Sequence, residues 1–228
     1  MAQRGSVSLF QVSGDPSAPE DQSLLLVSFE GAARGTIALA MAGDGAALSQ
    51  LEAPGVDAAS PCIWAGGVPG GWGAQATAEG IRIAGPAPAW SLAFEWRSTQ
   101  GPLSLAAAHG SYLVTASADR LAALHVSPVN GALALLAQAE LPQQASALAV
   151  FPAPASGSAG ELLVAVGLWV ENAVLLLRWH AAGPGGGGLQ PVGRLELWEQ
   201  QPRSLAALDV AGRCVLLAGS SQGQPYSC

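Results

Sequence analysis

The sequence contains no lysine. Its nine basic residues are all arginine, set against sixteen Asp and Glu for a net charge of −7. Without lysine there is no Walker phosphate loop, whose chemistry needs an ammonium reaching the β- and γ-phosphates. The arginines are scattered singly, so the clustered cations that a phosphate backbone requires are missing, and direct nucleic-acid binding is not expected. Cysteine is scarce as well. Cys62, Cys214 and Cys228 are odd in number and far apart, which fits a reducing compartment better than a disulfide framework. Charged residues are only 11% of the chain and half of it is hydrophobic, a balance that excludes disorder. Uninterrupted apolar runs of spanning length are lacking too, because the richest stretch, Leu162 to Trp179, is broken at Glu171 and Asn172. Met1 to Gly14 has no apolar core before a small-residue cleavage site, so no secretory signal is expected and the default is an intracellular protein.

What the sequence does have is alanine, leucine and glycine. The all-arginine, Ala- and Gly-rich composition points to codon bias in a GC-rich genome rather than to function. By propensity alone, an Ala/Leu stretch such as Gly131 to Leu141 predicts helix. Turn residues argue otherwise. Ala42-Gly43-Asp44-Gly45, Gly66-Gly67, His109-Gly110-Ser111, Ser127-Pro128-Val129-Asn130-Gly131, Pro152 to Gly160 and Ala182 to Gly188 cut the chain into apolar runs of strand length.

These runs come in sets of four. The clearest set is Leu103–Ala108, Tyr112–Ser117, Arg120–Val126 and Ala132–Leu141, and the next is Ala145–Phe151, Glu161–Leu168, Ala173–His180 and Leu189–Leu197. Weaker sets occupy Ser6–Val12, Leu24–Phe29, Thr36–Met41 and Ala47–Leu51, then Cys62–Ala65, Ala74–Thr77, Gly80–Ile83 and Trp90–Trp96. Ser204–Val210 and Val215–Ala218 begin a fifth. First strands recur roughly 42 residues apart, the period of a four-stranded propeller blade. The expected fold is all-β, a WD40-like β-propeller fragment of about four and a half antiparallel blades, drawn from a ring of about seven. A propeller removes its sheet edges by closing, so this chain is expected to be an excerpt of a longer protein. The linkers Pro152 to Gly160 and Ala182 to Gly188 read as loop expansions on a blade rim.

Catalytic patterns are few and each lacks its context. Gly219-Ser220-Ser221-Gln222-Gly223 matches the nucleophile elbow, which needs a strand-to-helix turn followed by an acid and a histidine, and no suitable residue follows. Gly183, Gly185 and Gly188 have the spacing of a dinucleotide loop, but the alternation of Leu189 to Leu197 predicts a strand there, not a helix N-terminus. His109, His125 and His180 show no zinc spacing, and Glu196 with Glu199 reads as a solvated edge rather than an acid/base pair. No catalytic, cofactor-binding or metal-binding residue is assigned.

The seven tryptophans divide into packing and contact residues. Trp90, Trp96, Trp179 and Trp198 fall in expected strands, where packing between sheets accounts for them. Trp169 falls at the corner between Leu162–Leu168 and Ala173–His180, beside Glu171 and Asn172. A side chain there can project from a propeller face, and exposed tryptophans are enriched in binding hot spots, so Trp169 is the candidate partner-contact residue.

Several stretches carry a resemblance to a known family. They are Asp21 to Gly31 (DQSLLLVSFEG), Thr77 to Ala84 (TAEGIRIA), Glu95-Trp96-Arg97, Leu103 to Val126, Leu163 to Leu177 (LVAVGLWVENAVLLL), Pro202-Arg203-Ser204 and Leu216 to Gly219. In this order they resemble the second β-propeller of the family of the large subunit of UV-damaged-DNA-binding protein. That family is shared with the large subunits of the cleavage-and-polyadenylation specificity factor and of splicing factor 3b. The glycine-rich insert Gly183 to Gly188 departs from the pattern, as does Gln222 to Cys228. Residues 1–219 are therefore read as the partial propeller and 220–228 as a divergent tail.

The resemblance implies a nuclear, non-catalytic scaffold, present also in the cytoplasm, that serves as the adaptor of a cullin-RING ubiquitin ligase in DNA repair. Its partners would be the cullin scaffold and substrate receptors, with damaged DNA reached only through a receptor, and with no cofactor, membrane or small-molecule substrate. Gly167-Leu168-Trp169 resembles the damage-binding branch. The alternative is a large subunit of an mRNA 3′-end-processing or splicing complex with the same fold, and a hydrolase built on the Ser221 turn is the third.

Overall fold

The computed structural model describes residues 6–12, 23–30, 35–41, 48–85, 89–153, 161–180, 187–198, 200–210, 213–220 and 225–227. Among the described residues there is no helix, and the strands form five antiparallel sheets. The first sheet is β1 (Ser6–Val12), β2 (Ser23–Glu30), β3 (Gly35–Met41) and β4 (Leu48–Gln50). The second is β5 (Cys62–Val68), β6 (Trp72–Thr77), β7 (Gly80–Ala84) and β8 (Leu92–Arg97). The third comprises β9 (Leu105–His109), β10 (Tyr112–Ser117), β11 (Arg120–Val126) and β12 (Leu133–Glu140). The fourth comprises β13 (Ala145–Pro152), β14 (Glu161–Leu168), β15 (Ala173–His180) and β16 (Leu189–Glu196). The fifth has β17 (Pro202–Val210), β18 (Arg213–Ser220) and β19 (Pro225–Ser227). Every strand pairs with its neighbour in the chain, an arrangement compatible with a β-propeller-like fragment.

The chain divides into two compact units, residues 1–103 with 126–133 and residues 104–125 with 134–228. In the first, β5 lies against β1 and β2, and the buried Ser28 hydroxyl on β2 accepts a 2.7 Å hydrogen bond from the Cys62 amide. Leu26, Ala38, Val56, Cys62, Ala65, Ala84 and Trp90 form its core. The expected turn at Gly66-Gly67 is instead part of β5, and the chain reverses at Gly70 and Gly71, whose φ values are +90° and +76°. Gly66 sits in the strand because the Trp64 ring covers it, and a Cβ there would lie 2.8 Å from that ring.

The loop Ser127–Gly131 belongs to the same unit. The Trp72 indole donates to the Pro128 carbonyl at 3.0 Å, and Gly131 (φ +70°) lies under the Trp72 ring, where a Cβ would come within 2.9 Å. Both its left-handed backbone and the missing side chain are needed. Gly131→Ala should therefore lower stability by about 1–2 kcal/mol, measurable as a fall in urea midpoint, and an unchanged midpoint would show the loop to be free of the ring.

In the second unit the fourth sheet is covered on both faces. Leu162, Val164, Val166 and Leu168 of β14 join Leu177 and Trp179 of β15 in a cluster with Val114, Leu121 and Ala123 of the third sheet. The intervening Ala165, with Val174, packs instead with Leu216 and Ala218 of the fifth sheet. Period-two alternation thus sends successive side chains into two cores, which is why β14 reads as one continuous apolar run. The first strands adjoin, β9 against β13 and β13 against β17.

Burial falls toward the last strand of the second and fourth sheets. In β14 all residues but Leu163 are buried, whereas in β16 only Leu189 is, and β8 has no buried residue. The outer edge of β16 carries Arg194 and Glu196 together with Pro191 and an irregular register, features that discourage pairing with another strand.

Candidate functional site

The corner that carries Trp169 is built from β14, β15 and what they touch. β14 ends at the buried Leu168, and the four residues Trp169–Asn172 turn the chain into β15. Asn172 closes the turn with φ +48°, a left-handed conformation that Asn tolerates better than most residues. Its carbonyl accepts a 2.8 Å bond from the Leu197 amide, fixing the turn to the end of β16. Glu171 is held by Arg194, which also bonds Glu196 at 2.6 Å. On the other side the Val170 amide donates to Gln143 Oε1 at 2.8 Å. A turn tied at three points keeps a fixed shape.

Trp169 itself is half-buried rather than fully projecting. The guanidinium carbon of Arg203 lies 3.3 Å from the centre of its ring. Two glycine- and proline-bearing segments make this approach possible. Gly167 has no side chain where one would meet Ser146 Oγ at 3.0 Å and the Pro202 ring at 3.1 Å. Ser146 then donates to the Pro202 carbonyl at 2.6 Å, setting the start of β17 against the end of β14. The stretches Gly167-Leu168-Trp169 and Pro202-Arg203-Ser204, quoted separately in the sequence, therefore form one piece of structure.

Beside the Trp169 ring lies a cleft of roughly 410 Å³ lined by Gln143, Gln144, Ala145, Ser146, Trp169 and Val170. Val170 is 78% exposed at its rim, and Gln143 Nε2 is buried without a hydrogen-bond partner among the described residues. Among the described arginine side chains, Arg82, Arg97, Arg120, Arg178 and Arg194 each contact a carboxylate, whereas Arg203 has none. The arrangement offers an exposed cation fixed on an aromatic ring, neutral hydrogen-bonding groups and an apolar rim.

Other sequence candidates do not converge. Gly219 and Ser220 lie within β18, which runs antiparallel to β19. Ser221 lies outside the described residues, as do Gly183, Gly185 and Glu199. Leu189 opens β16, the strand expected after the glycines. His109 and His180 are exposed, while His125 rests against Tyr112 with ring centres 5.2 Å apart. Among the described residues no three His, Cys, Asp or Glu side chains come together to hold a metal ion. Burial is the largest influence on the Cys62 thiol and pushes it up to about 12, which leaves it protonated and inert at neutral pH, its S–H donating to the Trp64 carbonyl at 3.1 Å. Cys214 is half-buried in β18, and Cys228 lies outside the described residues.

Two of the four tryptophans assigned to strand packing are placed differently. Trp179 in β15 is fully buried and Trp96 in β8 half-buried, but Trp90 and Trp198 lie outside strands with φ +42° and +34°. Trp90 is still a core residue, because the Gly55 amide donates to its carbonyl at 2.7 Å and its side chain is 1% exposed. Trp198 is not. It lies in a turn closed by the Gln200 amide on the Leu197 carbonyl and is 86% exposed. Sequence reasoning also gave no role to Arg203, Gln143 or Ser146, since only the fold brings them to Trp169. No protein-family model matches the chain, and no curated protein matches it.

Proposed function

We propose that this chain is part of a WD40-like β-propeller that acts as a non-catalytic protein-interaction scaffold, with the Trp169 corner as a contact surface. Sheets of three or four strands that follow one another along the chain and, within each compact unit, adjoin through their first strands support the propeller reading. The observation that carries the interaction reading is the fixed Trp169–Arg203 pair beside an open cleft with an exposed valine at its rim. Trp and Arg are the residue types that dominate binding energy at interfaces, and a surface that is already ordered loses little entropy on docking.

The resemblance of Gly167-Leu168-Trp169 and Pro202-Arg203-Ser204 to the damaged-DNA-binding family makes the partner a cullin. The complex would be a cullin-RING ubiquitin ligase acting in the nucleus, with ubiquitin transfer done by other subunits. The second reading keeps the fold and places the chain in an mRNA 3′-end-processing or splicing complex.

The test is affinity of the full chain for the amino-terminal region of a purified cullin, measured by surface plasmon resonance. Trp169→Ala should weaken binding about tenfold or more. Equal affinity would remove Trp169 from the interface. Failure to bind a cullin, together with retention of pre-mRNA processing subunits, would establish the second reading instead.

A further inference from the structure

We infer that the Trp169 corner recognises an acidic side chain in a partner protein, with the carboxylate on Arg203 and a neighbouring apolar side chain in the cleft between Trp169 and Val170. This rests on the interaction reading above and specifies its chemistry. The Arg203 guanidinium carbon lies over the Trp169 ring, 3.3 Å from its centre, a separation at which only a guanidinium stacked on the face avoids a clash of its nitrogens with the ring. Its N–H groups lie in its own plane and point away from the ring. Stacking thus fixes the orientation of a fork whose donors match the two oxygens of a carboxylate.

The charges nearby favour the same ligand. Glu171, the acidic residue of the turn, is occupied by Arg194, which also holds Glu196. The described residues leave Arg203 without a carboxylate, in a chain whose other described arginine side chains all have one. An exposed cation held in place, with no carboxylate on it among the described residues, in a protein of net charge −7, is a local inversion of sign that selects an anionic group. The cleft supplies the second element. Its roughly 410 Å³ takes an aliphatic side chain, and the exposed Val170 extends its apolar wall. Gln143 and Ser146 are neutral, so the lining adds no charge to repel the carboxylate.

The probe is the capped dipeptide N-acetyl-Glu-Leu-amide, titrated into the isotopically labelled full chain and followed through the Arg203 Nε–H and Trp169 indole N–H resonances. N-acetyl-Gln-Leu-amide and inorganic phosphate serve as the other arms. Saturable shifts at both resonances are expected with the acidic peptide, with about tenfold weaker binding of the glutamine peptide. Arg203→Gln should match that loss, while Arg203→Lys, which keeps charge but not the planar fork, should lose affinity to a smaller degree. Arg203 is exposed, so both variants should keep the wild-type spectrum elsewhere. Equal binding of the two peptides, or an Arg203→Gln protein that binds as wild type does, overturns the inference. Phosphate saturating the same resonances at lower concentration overturns it in favour of a phosphorylated partner. The two readings fail separately: a cullin that binds through Trp169 while the acidic peptide does not leaves the scaffold intact and removes only the carboxylate.

Discussion

Trp179→Ala should cost about 3–5 kcal/mol, measured as the urea-induced unfolding of the whole chain by circular dichroism. The indole is fully buried in β15, at the centre of the cluster that joins the third and fourth sheets, and Tyr112 meets it edge-on at 5.3 Å. Truncation removes the transfer energy of a large ring, leaves a cavity that sheets on both sides cannot fill, and strips Tyr112 of its partner. Domains of this size have net stabilities of about 5–15 kcal/mol, so the variant should be close to unfolding at body temperature. Trp179→Phe makes the argument specific. The Trp179 indole N–H has no hydrogen-bond partner among the described residues, so phenylalanine removes an unsatisfied buried donor while keeping much of the volume. Its loss should be less than half that of alanine. A loss under about 1 kcal/mol for the alanine variant would mean that the ring is not in the core.

Gly167→Val should destabilise the chain by about 2–3 kcal/mol and should also release Arg203 from Trp169. The glycine is needed for space, since a Cβ there would meet Ser146 Oγ, Ala147 Cβ and the Pro202 ring at 3.0–3.1 Å. Alanine would push these neighbours a few tenths of an ångström. Valine, branched at Cβ, must part β14 from the start of β17, and Ser146 would lose its 2.6 Å bond to Pro202. Arg203 follows Pro202, so it moves off the ring. Chemical denaturation reads the first effect and the ring-current shift of the Arg203 side-chain protons reads the second. A destabilised protein that retains the full ring-current shift would show that Gly167 serves packing alone, with no part in placing the arginine.

Much of the strand architecture was legible because turn chemistry overrode propensity. β12 is built from Leu, Ala, Gln and Glu, all good helix formers, yet the Asn130-Gly131 turn before it and the partner strand β11 make it a strand. β10, β11, β14 and β15 fall where the apolar runs predict, since polar turns bound each of them sharply. Gly66-Gly67 misled because glycine marks both a turn and a place where a ring lies against the backbone, and only the packing of Trp64 distinguishes the two. The third strand of the fifth sheet, Pro225–Ser227, was not anticipated either, being too short to show alternation.

The site was legible as one residue. Trp169 stood out as a large aromatic at a polar corner, but nothing in periodicity links it to Arg203, whose approach depends on Gly167 and Pro202 fitting together. Trp198 shows the converse error. It follows an alternating strand and was read as part of it, whereas the left-handed backbone at that position turns it outward.

Pairing only between chain neighbours bears on how this protein comes into being. Each sheet is complete once a few dozen consecutive residues are available, and no strand waits for a partner made much later. The loop-closure entropy within each sheet is therefore small. A chain emerging from the ribosome can finish one sheet before the next is synthesised, which shortens the time that its apolar strands spend exposed to aggregation.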